Sequence, residues 1–310
     1  MYKKSLRSIL LIFILSGNSL FAQTFGGGFG LQFNPYKIYN KGHLYELADY
    51  VGRSSSSTYC KNWSYGKYFI LMNDIRDSVR RVIGNNLLTN NLNCFDFQGN
   101  FDGQGHKITL ALTPSNYKSN ADAEFNCVHC GLFGYTSGIV EIKNVIVDGY
   151  IKGEVSPYGA AAGIVGRWYN QEYCDTAILN PKLTIRNCIN MANISLIKDD
   201  GNVSVAGIVN TAASNSKNII IENCINMGNI EGVALSTKQY SKAGGIISSN
   251  DNCAQNVFIN RCMNTGYIKG DYAAGIASDF NYSDTCNNIT NCINTGVIEG
   301  TIRSGIITIK

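Results

Sequence analysis

Cys127 and Cys130 stand three positions apart around Val128 and His129, the most site-like spacing in the chain. A structural zinc centre takes four nitrogen or sulfur ligands, which would recruit Cys60, Cys94 or His129. No second C-x-x-C pair is present to complete such a set. A redox C-x-x-C usually sits near a βαβ pattern, whereas this one runs into the apolar segment GLFGY at 131–135. The pair therefore reads as a structural disulfide or as packed thiols in a loop, with no metal and no cofactor expected. Asp102 and His106 lie in the segment FDGQGH. One carboxylate near one histidine is not an acid–base constellation, and Asp-Gly is ordinary turn chemistry. Polysaccharide cleavage needs carboxylates gathered in a groove, with basic residues or calcium for some chemistries. Asp148, Glu154, Glu231, Asp271 and Glu299 come at about one per repeat and read as a solvated edge. With three histidines (His43, His106, His129) and no H-E-x-x-H, a zinc-protease site has no residues to carry it. No G-x-S-x-G elbow occurs. GGGFG at 26–30 lacks the Lys-Ser/Thr of a phosphate loop.

Aromatic residues are the feature that points to binding. Tyr158, Trp168, Tyr169, Tyr173, Tyr240, Tyr272 and Tyr282 fall in or near the segments between predicted strands. If those segments share one side of the molecule, they form an aromatic-decorated face suited to a glycan or a protein surface. The alternative, that each ring packs its own loop, stays open at this level.

The elements that would position these residues are repeats. NCINMANI at 187–194, NCINMGNIEG at 223–232, RCMNTGYIKG at 261–270 and NCINTGVIEG at 291–300 align without gaps. Each is followed by a short apolar segment: AGIV at 206–209, GGII at 244–247, AGIA at 274–277 and SGII at 304–307. A weaker copy, IKNVIVDGYIKG at 142–153, precedes AGIVG at 162–166. Apolar and polar residues alternate with a period of two, the strand signature. Each unit is too short to bury its own face, so stacking at about 4.8 Å per rung must build the core. The fold class expected is all-β, a right-handed parallel β-helix. Stacking places Cys188, Cys224, Cys262 and Cys292 in one ladder and Asn190, Asn226, Asn264 and Asn294 in another. Gly228, Gly266 and Gly296 mark a turn needing small or positive-φ residues, with Ala192 the exception. KGHLYELADYVG at 41–52 carries Leu44, Leu47, Ala48 and Val51 at helical spacing and reads as a short helix capping the stack. The segments at 66–75 and 97–108 read as an early strand and as strand, Asp-Gly turn, strand. At the other end, the chain reaches Lys310 directly after an apolar strand, which suggests an edge shielded by a partner or a shortened member of a longer type.

Composition agrees. Charged residues make up 15% and glycines number 32, against roughly 25% charged in ordinary soluble proteins. Lys3, Lys4 and Arg7 precede an unbroken apolar run at 9–15, with a cut expected before Gln23. That is a secretory signal, since the run is far shorter than the roughly 20 residues a bilayer requires. Its removal takes three positive charges and lowers the formal charge from +4 to 4 − 3 = +1. A near-neutral chain has no electrostatic footprint for nucleic acid, and no membrane-spanning segment is expected after cleavage. Export permits disulfides, and an odd count of 11 cysteines leaves at least one thiol unpaired within a monomer. The expected organisation is a signal peptide at 1–22, a flexible mature N-terminus at 23–35 and one β-helix domain at 36–310. Within it, 36–94 hold the cap and first strands and 95–310 the stacked rungs.

The order of these segments resembles the GLUG-motif β-helix proteins: GKYFILMNDI at 66–75, FQGNFDGQGHKI at 97–108, GLFGY at 131–135 and the N-C-x-N-x-G-x-I repeats. The resemblance covers roughly residue 36 to the end. The FDGQGH turn is also similar to one near the start of pectate-lyase-like β-helices and indicates fold alone. The resemblance implies a right-handed parallel β-helix, display on a bacterial surface or secretion, and adhesive or scaffolding roles, as in the non-catalytic region of some immunoglobulin-A-cleaving proteases. It implies no shared catalytic residues. This chain departs in being short, cysteine-rich and without a recognisable catalytic or anchoring domain. The function expected is that of a non-catalytic adhesin or scaffold binding a glycan or a host or neighbour-cell protein through its loop face. The alternative is a polysaccharide lyase or hydrolase.

Overall fold

The computed structural model describes residues 25–52, 61–84, 96–114, 129–154, 159–169, 180–199, 201–211, 217–236, 239–249, 255–278 and 287–307. These fold into four parallel sheets and one helix. The chain visits the sheets in rotation, and each visit pairs in parallel with the previous turn, which makes a parallel β-helix. The first sheet begins at Tyr36–Ile38 and Tyr68–Leu71 and runs through Asn100–Asp102, Ile139–Lys143, Lys182–Arg186, Lys217–Glu222 and Gln255–Asn260 to Asn288–Thr290. The second holds Ile75–Val79, Lys107–Leu112, Ile146–Glu154 and, in each later repeat, two short strands, one on the two residues after the repeat cysteine (Ile189–Asn190 in the first) and one just beyond them. The third runs from His129–Cys130 to Ile302–Ser304, and the fourth from Phe133–Ser137 to Ala277–Ser278.

The core is made of columns. In the first sheet Phe69, Phe101, Ile142, Ile185, Ile221, Ile259 and Ile289 stand above one another in register. All but Ile289 are buried, and full burial of each such side chain stabilises by roughly 1.5–3 kcal/mol. The column starts aromatic, with Phe69 and Phe101. Phe25, Tyr36, Trp63 and Phe69 fill that end, with Tyr50 stacked on Trp63 at 4.5 Å between centroids. The predicted helix, α1, spans Lys41–Gly52 and buries Leu44, Leu47, Ala48 and Val51. The expected flexible segment at 23–35 is corrected from Phe25 onward: Phe25 is buried, and Gly26 and Lys37 exchange backbone hydrogen bonds with each other's neighbourhood, Gly26 N to Lys37 O and Lys37 N to Gly27 O. The signal segment at 1–22 lies outside the described residues. Among the described residues no helix is long and apolar enough to cross a membrane.

Two local readings of the repeat change. The AGI segments are corners between strands: Val203–Ala206 lies in the third sheet and Val209–Thr211 in the fourth. A Cβ on Gly207 would stand 2.1 Å from Gly245 O, so the corner admits only glycine. The first residue of N-C-I-N is a corner as well. Asn144, Asn187, Asn223 and Asn291 hold φ of 53–54°, the left-handed region that asparagine tolerates and most residues avoid. Arg261 adopts it too, at 54°. For Gly228, Gly266 and Gly296 the requirement is size, since a Cβ would come within 2.1 Å of the carbonyl of the rung before.

Candidate functional site

One interior asparagine column and one cysteine column run along the stack. Asn190, Asn226, Asn264 and Asn294 pass one hydrogen bond along the stack, each Nδ2 donating to the next Oδ1 at 2.7 Å. Cys188, Cys224 and Cys262 are buried, Cys292 is half-buried, and all four are free thiols. Each Sγ donates to a carbonyl two residues back, at 3.2–3.5 Å. Burial, reinforced by the flanking thiols of Cys188 and Cys262, pushes Cys224 well above the usual thiol range. Cys130 is disulfide-bonded and fully buried, so its sulfur is neither a metal ligand nor a packed free thiol; Cys127 lies outside the described residues. Among the described residues no group of three or more His, Cys, Asp or Glu is arranged to hold a metal ion.

Asp102 and His106 do not form a pair. Asp102 accepts from Gln104 N and from Asn144 Nδ2, both at 2.9 Å, and lies 3.7 Å from Lys143 Nζ. His106 Nδ1 lies 3.3 Å from Asp74, which also accepts from Lys107 N at 3.1 Å. That backbone donor first, with His106 and Arg76 adding to it, holds the Asp74 carboxyl below its ordinary value against desolvation, which pushes it up. Asp102 is one end of an in-register row: Asp102, Lys143, Arg186 and Glu222 are successive partners across four rungs. Arg186 bridges Glu222 at 2.7 Å and Glu141 at 3.0 Å, and Lys143 reaches Glu141 at 3.7 Å. Strand alternation in single segments could not show this row, because its members are about 40 residues apart and meet only through the stacking register.

Beside the row, at the corner between first and second sheets, lies an open groove of about 420 Å³ lined by Gln104, Gly105, Asn144, Ile146, Asn187 and Ile189. It crosses successive rungs, so its long direction follows the stack.

Of the aromatic candidates, Tyr240 and Tyr272 are brought together edge-to-face on neighbouring rungs, 5.5 Å between centroids. Lys242 Nζ lies 5.1 Å from the Tyr240 ring. Trp168 is a correction: it lies inside the strand Val165–Tyr169, in register with Thr136, and is 0% exposed. Its bulk fills the core, and it presents nothing to a ligand. Tyr169 ends the same strand. Tyr158, Tyr173 and Tyr282 lie outside the described residues. Sequence reasoning missed a buried polar cluster nearby. Arg167 Nη1 lies 3.0 Å from His129 Nε2, and His129 packs edge-on against Tyr135 at 4.8 Å. Burial, then the Arg167 charge, hold the His129 imidazole far below its ordinary value, while burial raises Tyr135 to about 12.

No protein-family model matches the chain, and no curated protein matches it. Among solved structures, a candidate immunoglobulin A1 protease from Bacteroides ovatus is similar at 14% identity with a TM-score of 0.46, over 91% of this chain and 87% of that one. At that identity and score the similarity carries no argument about activity.

Proposed function

We propose that this chain is an exported β-helix of the GLUG-motif kind, with 1–22 as signal peptide and one domain from 36 to 310. In this reading it acts on the cell surface or outside the cell as a non-catalytic adhesin or scaffold that binds a glycan or a neighbouring cell's protein. The observation that carries the reading is the Tyr240–Tyr272 pair. Two of the aromatic residues expected on the loop side do meet on consecutive rungs, as an aromatic platform along the stack requires. The paired charges support binding over catalysis, because each basic group of the Asp102–Glu222 row is already matched to a carboxylate. The alternative reading, a polysaccharide lyase or hydrolase, would have to draw its acids and bases from that same matched row beside the groove. Binding to immobilised glycans and cell-surface proteins, run with a reducing-end assay on the same polysaccharides, separates the two. Retention without cleavage, weakened at least tenfold by Tyr240→Ala with Tyr272→Ala, is expected. Cleavage with no retention sinks the adhesin reading.

A further inference from the structure

The groove at the corner of the first and second sheets has a chemistry of its own. Its lining combines amides at successive rungs, Asn144 and Asn187, and Gln104, with the aliphatic pair Ile146 and Ile189. A Cβ on Gly105 would meet nothing within 4 Å, so the groove is open at that end. Asn144 Nδ2 gives one hydrogen bond, to Asp102 Oδ1 at 2.9 Å; Asn187 Nδ2 gives one, to Asn144 Oδ1 at 3.0 Å; Asn187 Oδ1 takes one, from Asn223 Nδ2 at 3.2 Å. A carboxamide has two N–H donors and two lone pairs. Each of these asparagines therefore keeps one donor and one acceptor for an incoming group.

The charges beside the groove are spent on one another. Lys143 lies between Asp102 and Glu141, Arg186 between Glu141 and Glu222, and Lys107 against Asp148 at 3.2 Å. Among the described residues, an ionic ligand finds no unmatched partner there. An extended peptide fits poorly, because its rise of about 3.3 Å per residue falls out of step with rungs about 4.8 Å apart. A polyhydroxylated, uncharged chain suits every feature: hydroxyls both donate and accept, and the C–H faces of sugar rings cover aliphatic side chains. We propose that this groove binds a neutral polysaccharide laid along the stack, with hydroxyls on Asn144 and Asn187 and ring faces on Ile146 and Ile189. The assignment rests on the binding reading above and adds a second, separate face to it.

The test uses the full chain in affinity electrophoresis against a soluble β-glucan, a xylan and a mannan, with polygalacturonate as the anionic comparison. Glycine accepts the φ of 53–54° that Asn144 and Asn187 hold, so Asn144→Gly with Asn187→Gly removes the amides without straining the corners. Unchanged circular dichroism and melting temperature check the fold. Retardation by at least one neutral polysaccharide is expected, insensitive to added salt and weakened at least tenfold in the double variant. Retardation that survives the double variant overturns the groove. If Tyr240→Ala with Tyr272→Ala abolishes it instead, the ligand lies on the loop side and the binding reading stands. Preference for polygalacturonate overturns the neutral class, and no retardation by any polysaccharide overturns the groove together with the glycan half of the binding reading.

Discussion

Arg167 donates to His129 Nε2, which fixes that nitrogen as an acceptor and the imidazole as neutral. Its Nδ1 is buried without a hydrogen-bond partner among the described residues, so a second proton would place a cation beside the guanidinium and away from water. The linkage follows directly. The folded-state pKa of His129 is depressed below its unfolded value of about 6.5 by burial first and Arg167 second. Stability from the neutral ring is therefore present above that pH and lost as pH falls below it, where the unfolded chain takes up the proton first. The melting temperature should drop between pH 7 and pH 5, and His129→Phe should flatten that slope while lowering the value at pH 7. An unchanged slope in the variant assigns the acid sensitivity elsewhere. The four free thiols allow a second expectation at this scale. Cys292 is half-buried and the other three are sealed, so access favours Cys292 even though its hydrogen bond with Cys262 pushes its thiol up and slows the reaction. Of these four, a thiol reagent in native buffer should label Cys292 first, with Cys188, Cys224 and Cys262 labelled only on unfolding, as peptide mapping would show.

At the scale of elements, the Asn ladder does the work that side-chain packing does elsewhere. Asn226 accepts from Asn190 at 2.7 Å and donates to Asn264 at 2.7 Å and to Gly228 O at 2.9 Å, all in the interior. Asn226→Ala strands a donor on one rung and an acceptor on the next, each costing about 1–3 kcal/mol when buried. A loss of about 3 kcal/mol in urea unfolding is expected, against about 0.5 kcal/mol or less for the exposed corner substitution Asn187→Gly. Equal losses would mean the ladder adds little beyond its corner. These columns were legible in the sequence because identical residues recur at fixed places within each repeat. The corners were not. In A-G-I and in the first Asn of N-C-I-N the alternation of apolar and polar residues passes unbroken through a change of sheet, so periodicity alone shows one strand where there are two. Trp168 reads as a loop-face residue for a different reason: GIVGRWY has no period that says which ring faces inward, and its burial appears only once the rungs are stacked. The charged row was invisible for want of a register between distant segments.

At the scale of the whole molecule, each rung contacts its two neighbours and little else, so stability is a sum of rung and junction contributions. The N-terminal end is closed by α1 and the aromatic cluster around Trp63. The rung formed by residues 287–307 has a neighbour on one side only among the described residues. Ile289, Cys292 and Ile298 are half-buried there, where their counterparts Ile259, Cys262 and Ile268 are sealed. The same substitution should therefore cost different amounts along one column. Ile221→Ala, in the middle, removes a side chain packed above and below and should cost about 2–5 kcal/mol. Ile289→Ala should cost less than half of that. Hydrogen exchange should show the same gradient, with amides at 288–304 exchanging first and those at 217–226 last, through opening that starts at the less covered end and moves inward. A uniform exchange rate across the column, or equal costs for the two alanine substitutions, would mean that the solenoid unfolds as one block and that the junctions, not the rungs, set its cooperativity.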